Sequence, residues 1–306
     1  MSWAISRKYP ARSMAGRLAH AFCAFSAAET AKLRYVQSLY QDDKGIGMDH
    51  PEGVACSEKY GLLVGDTGND RLVRYAFQDN SLKAGTEVKI PQLSQPVCVQ
   101  VSSKGDILAL DGKQRRIVRL GADGTFKGYV TAEGAPGASE IVPIRFKIDR
   151  DDNIYILDIF SGRVIFLGPD GKYQKEIPFP KDYGFFSDLA VDPKGTILLI
   201  DSLRATVFSA PKNANVFAPL GASLKEYLAF PVSLTIDNRG TIYITDANGA
   251  DIGIMASDGS FLGRQLSMGW TEGLLYYPSQ MCIRENGDIF VADRGNSRVQ
   301  EFTQVK

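Results

Sequence analysis

Histidine and cysteine are both scarce in this 306-residue chain. The two histidines, His20 and His50, are too few for a zinc site built from several histidines, and only His50 lies in the repeated part described below. Four cysteines are present without a C-x-x-C pair, and Cys56, Cys98 and Cys282 each fall inside a strand pattern. We therefore interpret these three as small buried apolar residues. A Gly-rich phosphate-binding loop is also lacking.

Net charge and long apolar runs are lacking as well. The chain has 35 basic and 35 acidic side chains, whereas a protein that binds nucleic acid by neutralising phosphates carries a positive field. Nucleic acid is therefore not the favoured partner. No stretch beyond the first 28 residues is apolar enough to span a bilayer, so no transmembrane segment is predicted.

The first 28 residues have a composition of their own. Four basic residues and no acidic residue accompany an apolar stretch, Leu18 to Ala28, which ends in small residues. A basic segment, an apolar stretch and small residues are the parts of a secretory signal peptide. We expect residues 1–28 to be a signal peptide and the protein to be exported to the periplasm or the cell exterior. The alternatives are a disordered tail and a cytoplasmic protein.

A short motif repeats through the remainder of the chain. In its clearest copy, Gly65 to Tyr75, an Asp ends one strand pattern and an Arg five positions later begins the next. The Asp recurs at intervals of 43 to 47 residues, as Asp66, Asp111, Asp158, Asp201, Asp246 and Asp293. Each unit contains four short strand patterns separated by turns, with no helical period between them. Six such units predict an all-β fold, a six-bladed β-propeller with four antiparallel strands per blade.

The last repeat indicates how the ring closes. After Arg298 to Phe302 the sequence ends at Lys306, which leaves no length for a fourth strand. An unassigned strand pattern, Leu33 to Tyr40, precedes the first repeat. We expect this N-terminal strand to pair with the last blade and so remove two free sheet edges. The predicted domain is a propeller over residues 29–306.

The motif resembles the NHL repeat. The similar residues are Pro51-x-Gly53-Val54-Ala55 followed by Gly65-Asp66-Thr67-Gly68-Asn69-x-Arg71-Leu72-Val73, and again Gly287 to Val299, with Asp293, Asn296 and Arg298. The resemblance covers residues 34–306, and it implies the same six-bladed propeller.

The repeated Asp and Arg are interpreted as structural, because a catalytic group would occur once rather than in every blade. Each Asp is expected to accept backbone N–H groups in its own loop and to pair with the Arg that follows. The predicted pairs are Asp66–Arg71, Asp111–Arg116, Asp158–Arg163 and Asp293–Arg298. Thr206 and Asp251 take the Arg position in the fourth and fifth repeats, so we expect Asp201→Ala to cost less stability than Asp66→Ala.

The positions where the first strands begin differ from blade to blade, as a functional surface would. In a propeller they surround the central channel on the face that carries the Asp loops: Glu52 and Gly53, Cys98, Arg145, Asp188, Ser233 and Gln280. The segments that lead into them carry aromatic residues, among them Tyr183, Tyr227, Trp270 and Tyr277. Aromatic residues in connections on a rigid scaffold are typical of binding surfaces. The alternative is that they fill the gaps between blades.

We therefore predict a non-enzymatic binding or scaffold protein without metal or cofactor, whose Asp-loop face binds a protein partner or a small ligand. The predicted contact residues are Glu52, Arg145, Asp188, Gln280 and the four aromatic residues named above. The alternative is a calcium-dependent lactonase or hydrolase with Glu52 and Asp188 as metal ligands. Against it, no Asn begins a first strand, and Arg145 is expected to neutralise the two acids. RNA binding is the third hypothesis, although acidic residues oppose the basic ones on this face.

Overall fold

The computed structural model describes residues 32–78 and 81–305, which form six four-stranded antiparallel sheets. The first strands of neighbouring sheets contact one another in a ring, so each sheet is one blade and its first strand lies next to the axis. The predicted six-bladed propeller is thereby confirmed. The predicted signal peptide, residues 1–28, lies outside the described residues.

The strands are numbered along the chain from β1, Lys32–Leu39. Blade 1 contains β2 (Gly53–Ser57), β3 (Gly61–Asp66), β4 (Arg71–Tyr75) and β7 (Thr86–Val88), with a hairpin of β5 (Phe77–Gln78) and β6 (Ser81–Leu82) beside it. Blade 2 contains β8 (Pro96–Val101), β9 (Ile107–Asp111), β10 (Arg116–Leu120) and β11 (Phe126–Tyr129). Blade 3 contains β12 (Pro143–Ile148), β13 (Ile154–Asp158), β14 (Arg163–Leu167) and β15 (Tyr173–Pro178).

Blade 4 contains β16 (Phe186–Val191), β17 (Ile197–Asp201), β18 (Thr206–Ala210) and the very short β19 (Ala218–Pro219). Blade 5 contains β20 (Pro231–Ile236), β21 (Ile242–Asp246), β22 (Asp251–Met255) and β23 (Phe261–Gln265). Blade 6 contains β24 (Met281–Ile283), β25 (Ile289–Asp293), β26 (Arg298–Val305) and β1. Helical structure in the described residues consists of three single 3-10 turns, Thr67–Asn69, Ala138–Glu140 and Arg294–Asn296, and none of them is long and apolar enough to cross a membrane.

The second strand of every blade is buried along its whole length, because each blade packs between two others. Strands buried on both faces consist of nearly continuous apolar residues, as Ile197–Asp201 shows, whereas the outer strand Phe126–Tyr129 is mostly exposed. The buried apolar residues form six clusters, as expected where every blade packs against its two neighbours.

The ring closes within blade 6, as the sequence predicts. Strand β1 pairs antiparallel with β26, from Lys32 opposite Val305 to Leu39 opposite Val299, and forms the outermost strand of the last blade. One sheet thus contains both ends of the described chain. This pairing covers the edge that β26 would otherwise expose.

The cysteines require a correction. Cys56 on β2 and Cys282 on β24 form a disulfide with a Cα–Cα distance of 5.7 Å, and only Cys98 is a free buried cysteine, as we expected of all three. The two partners are separated by 226 residues, so their pairing has no local signal in the sequence. Ring closure places the first strands of blades 1 and 6 side by side, and the disulfide joins them there.

Candidate functional site

Each of the six repeated Asp residues holds a loop of its own blade by hydrogen bonds, and all six lie on one face. Each is fully buried at the end of a second strand, and its carboxylate accepts a hydrogen bond from the segment that leads into the first strand of the same blade. The donors are the backbone N–H groups of Asp49, Ser94, Val142, Gly184, Phe230 and Tyr276, at 2.6 to 3.1 Å. The repeated Asp therefore sets the position of every lead-in segment on this face, which we call the Asp-loop face.

The Arg partner is present in three of the four blades for which it is predicted. The Nε atoms of Arg71, Arg163 and Arg298 lie 2.6, 3.1 and 2.8 Å from the carboxylates of Asp66, Asp158 and Asp293. For blade 2 the prediction is wrong. The guanidinium of Arg116 lies over the ring of Tyr129, 4.0 Å from its centroid, and this cation–π contact takes the place of the pair with Asp111.

Blades 4 and 5 lack the Arg, yet their Asp residues are well bonded. The carboxylate of Asp201 accepts four backbone N–H groups, from Gly184, Phe185, Leu203 and Arg204, at 2.6 to 3.1 Å. The lower cost expected for Asp201→Ala therefore finds no support in the structure, because the backbone supplies the partners that Thr206 does not.

Asp251 takes the Arg position in blade 5 and lies opposite Asp246 in the register of the two strands. Burial, followed by the charge of Asp246, raises the pKa of Asp251 to about 6, although Arg264 at 3.3 Å opposes the shift. This carboxylate is buried at the end of the blade where Asp246 holds the lead-in segment.

Side chains of the first strands contact one another between different blades near the axis. Cys98, Asp188, Ser233 and Gln280 are all buried. Ser233 Oγ donates to Asp188 Oδ2 at 2.7 Å, and Gln280 Nε2 lies 3.6 Å from Cys98 Sγ. Gly53 lies between the strands of these last two residues, and a Cβ there would lie only 3.1 Å from Cys98 Cα, so glycine permits the close approach of blades 1 and 2. The predicted contact residues Asp188 and Gln280 thus lie beneath the face.

The expected charge arrangement at the channel is wrong in one respect. Arg145 does not neutralise the two acids: its Nη1 donates to the carbonyl of Ile144. Glu52 instead pairs with Arg294 at 3.2 Å, and Asp188 is satisfied by Ser233 Oγ and two backbone N–H groups.

A calcium ion would need several oxygen ligands that are not already committed to other groups. Across residues 32–78 and 81–305, no three His, Cys, Asp or Glu side chains gather in a metal-binding arrangement. Glu52 and Asp188, each already paired, therefore do not fit the calcium site of the alternative hypothesis.

The predicted aromatic residues are exposed but fall into separate groups. Tyr183 stacks on Phe186 of blade 4, and Tyr227 stacks on Phe261 of blade 5, with centroids 5.0 and 4.4 Å apart. Trp270 is 74% exposed and Tyr277 is 46% exposed, and both pack against Tyr276. Trp270 is the most exposed of the four predicted aromatic residues.

Three segments, 40–52, 270–277 and 294–297, lie together where blades 6 and 1 meet. Besides the Glu52–Arg294 pair, the backbone N–H of His50 donates to Ser297 Oγ, and the hydroxyl of Tyr40 donates to Glu272 Oε1 at 3.1 Å. The His50 ring contacts the carboxylate of Asp49. We call the resulting area the seam surface: Tyr40, Asp49, His50, Glu52, Trp270, Glu272, Tyr276, Tyr277 and Arg294.

Sequence reasoning missed part of this surface and a second exposed area. His50, Gln95 and Tyr277 share a left-handed backbone, with φ of 47°, 47° and 46°, and each precedes a proline. Val142 and Phe230 also precede a proline without this backbone, so the X-Pro pattern alone does not predict it. On the opposite side of the ring, exposed residues of blades 3 and 4 form what we call the far patch: Ile159, Phe160, Tyr183, Phe185 and Leu203. Of these, Tyr183 is among the predicted contact residues.

Comparison with known proteins supports the fold. Residues 275–302 match the NHL repeat. This NHL repeat includes β24, β25, the Asp293–Arg298 pair and Tyr277 of the seam surface. A search of curated protein sequences found no match.

The chain is also similar to solved structures. A streptogramin B lyase superposes with a TM-score of 0.63 at 16% identity, covering 91% of this chain and 99% of the other. A catalytically inactive virginiamycin B lyase from Staphylococcus aureus with quinupristin gives 0.65 at 14%, covering 90% and 100%. A gluconolactonase from Xanthomonas campestris gives 0.64 at 15%, covering 90% and 96%. At these identities the likeness shows a shared propeller fold.

Proposed function

We propose that this chain is a binding protein and that the seam surface is where it contacts a protein partner. The observation that carries the proposal is the high exposure of Trp270 beside Tyr276 and Tyr277. Exposed aromatic groups bordered by polar residues are typical of interaction sites, and Trp and Tyr supply much of the binding energy at interfaces.

The rigidity of the seam surface supports the same proposal. Asp66 and Asp293 hold the lead-in segments of blades 1 and 6 through the N–H groups of Asp49 and Tyr276. Asn296 Nδ2 further donates to the carbonyl of Gly269, next to Trp270. A surface that is already ordered loses little conformational entropy on binding, which favours affinity.

The test is capture of a partner by the purified full chain and by matched variants. Trp270→Ala and Tyr277→Ala should each weaken capture at least tenfold, since a hot-spot aromatic residue often contributes about 2 kcal/mol or more. Phe160→Ala is the matched control, because Phe160 is 65% exposed on the same face but lies in the far patch. Capture that survives both seam changes, with the fold intact, would refute the proposal.

A metal-dependent lactonase or hydrolase is the second candidate, and the fold shared with the gluconolactonase and the lyases favours it. The commitment of Glu52 and Asp188 to other groups weighs against it. We expect purified protein to bind no stoichiometric calcium and to hydrolyse no lactone or ester. Hydrolysis that depends on calcium and is lost in Glu52→Gln would replace the binding proposal with this one.

We further propose that the protein is exported. Disulfides persist in oxidising compartments, so the Cys56–Cys282 bond agrees with the signal-like composition of residues 1–28. Fusion of these residues to a reporter that is active only after export should give activity. An inactive fusion, with a known signal peptide as the positive control, would place the protein inside the cell.

A further inference from the structure

The aromatic group of the seam surface offers ring faces rather than a closed stack. The centroids of Trp270 and Tyr276 are 5.9 Å apart with planes inclined by 50°, and those of Tyr276 and Tyr277 are 4.7 Å apart with planes inclined by 60°. Because Trp270 is largely exposed, its indole remains accessible to a partner. The face of an indole carries partial negative charge and attracts cations more strongly than other side-chain rings do.

Acidic groups border these rings. Glu272 lies two residues from Trp270 on the exposed lead-in segment, and its carboxylate accepts the hydroxyl of Tyr40 and lies close to that of Tyr35. Within residues 32–78 and 81–305, no cationic side chain forms an ion pair with Glu272. The nearby Arg294 is paired with Glu52, so its charge is offset. The surface therefore favours a positively charged group over a negative one.

Elsewhere the same fold places its own cations over aromatic rings. The guanidinium of Arg284 lies 3.9 Å from the centroid of Phe77, and that of Arg116 lies 4.0 Å from Tyr129. No such contact is found at Trp270 among the described residues, although it is the ring best suited to one. The seam surface thus holds an exposed indole ring and an acidic side chain, Glu272, with no cation of this chain over the indole among the described residues.

We infer that the seam surface recognises a Lys or Arg side chain of its protein partner, held over Trp270 and next to Glu272. This inference rests on the proposed binding function and gives the chemistry of the contact. An ammonium or guanidinium group approaches within about 6 Å of the ring centroid in such contacts, and a neighbouring carboxylate adds a charge-assisted hydrogen bond.

The test uses the full chain with Trp3→Phe, which leaves Trp270 as its single tryptophan, since the chain contains two. Three acetylated pentaglycine peptides are titrated, with Lys, Arg or Gln in place of the central residue, while indole fluorescence is recorded at constant ionic strength. We expect a saturable change with the Lys and Arg peptides and at least a tenfold weaker one with the Gln peptide. Equal responses to all three, or none, would overturn the inference.

Two variants sharpen the result. Glu272→Gln should weaken binding of the Lys peptide at least threefold. The control is Glu226→Gln, which changes an exposed acid in the lead-in segment of blade 5 and should leave the affinity for the Lys peptide unchanged. Tetramethylammonium chloride is titrated in parallel. Saturation by tetramethylammonium without saturation by either cationic peptide would identify a site for a small free cation and overturn the assignment to a partner side chain.

The outcome also separates this inference from the proposed function. If Trp270→Ala abolishes partner capture but the cationic peptides produce no response, the seam surface binds its partner by another chemistry and only the inference fails. If Trp270→Ala leaves capture intact, the proposed function fails for this surface, whatever the peptides show.

Discussion

The junction between blades 6 and 1 and the junction between blades 3 and 4 are held by different forces. At the first, a disulfide joins Cys56 to Cys282, and Arg284 donates two hydrogen bonds to Glu58, the shorter 2.6 Å. At the second, Phe186 contacts Phe179, Tyr183 and Phe208 with ring centroids 4.9 to 5.4 Å apart. The junction between blades 6 and 1 thus contains a covalent bond and a charged pair, whereas the contacts described between blades 3 and 4 are aromatic.

The position of each junction in the chain explains the difference. Blades 3 and 4 are consecutive units, and neither borrows a strand from a distant part of the chain. Blade 6 takes its outer strand β1 from the N-terminal side, so the β1–β26 pairing is one attachment that closes the ring. The disulfide ties the rest of blade 6 to blade 1 at the inner strands. Ring closure therefore has two independent attachments, one at the outer edge and one next to the axis.

Removal of both attachments should have the largest effect on stability. Deletion of residues 1–41 removes β1 and exposes an edge of β26, and reduction then breaks the remaining link. We expect the reduced protein to lose its single cooperative thermal transition or to aggregate, and the oxidised protein to keep a transition at a lower Tm. Deletion of residues 1–28 is the control. Identical melting curves for the two deletions would contradict this account of closure.

At the aromatic junction the decisive residue is Phe186, which is buried among three rings. Phe186→Ala should cost about 3–5 kcal/mol in free energy of unfolding, from lost burial and the cavity that remains. Urea unfolding should show a lower midpoint with an unchanged slope. The cost should be equal in oxidised and reduced protein, because distant independent changes are additive. A cost that depends on the disulfide would mean that the two junctions are coupled.

Loss of the disulfide alone should cost about 2–5 kcal/mol, because it closes a long loop in the unfolded chain. The double variant Cys56→Ser/Cys282→Ser is compared with the parent in urea, each with and without reductant. Reductant should destabilise the parent and leave the double variant unchanged. A reductant effect that persists in the double variant would have to come from elsewhere, and Cys98→Ala would then identify it.

Asp66 in blade 1 and Asp201 in blade 4 occupy the same position of the repeat, so the two junctions can be compared by changing each to Ala. Asp66→Ala leaves Arg71 with its second partner, Asp42, and one backbone N–H, that of Asp49, without an acceptor, whereas Asp201→Ala leaves four such groups without one. We expect each change to cost about 1–3 kcal/mol, with Asp201→Ala at least as costly, because an unpaired buried donor carries a desolvation penalty. Urea unfolding of both variants measures the two costs. A clearly smaller loss of stability for Asp201→Ala would support the expectation from the sequence that this change costs less than Asp66→Ala.

Most of the fold follows from the sequence because its causes are local and repeated. The Asp that ends each second strand, the turns and the alternation of apolar residues specify one blade, and six copies specify the ring. The unassigned strand near Leu33 predicts the closure. The repeat pattern does not predict the Cys56–Cys282 bond, because the two cysteines become neighbours only when the ring closes. It also does not predict the Arg116–Tyr129 contact, because that contact depends on how the fourth strand of blade 2 pairs with the third.

The candidate site is less predictable for the same reason. Trp270 and Tyr277 are predictable, because long aromatic lead-in segments are visible in the sequence. The pairing of Glu52 with Arg294 depends on contact between blades 6 and 1, and the burial of Asp188 and Gln280 depends on contacts between the first strands of different blades. Properties that arise between blades have no counterpart in the pattern of any single repeat.

The smallest expected effect distinguishes the two junctions by pH. The hydrogen bonds from Arg284, opposed in part by burial, hold the pKa of Glu58 below its usual value. A carboxylate with a lowered folded pKa contributes stability above its unfolded pKa of about 4.3 and loses that contribution as pH falls through the folded value. Because Glu58 is about a third exposed, solvent screening limits the effect to less than about 1 kcal/mol. Glu58→Gln should therefore be slightly less stable than the parent in urea at pH 7, and the difference should be smaller at pH 3. A difference of the same size at both pH values would show that Glu58 acts by packing against blade 6 rather than by its charge.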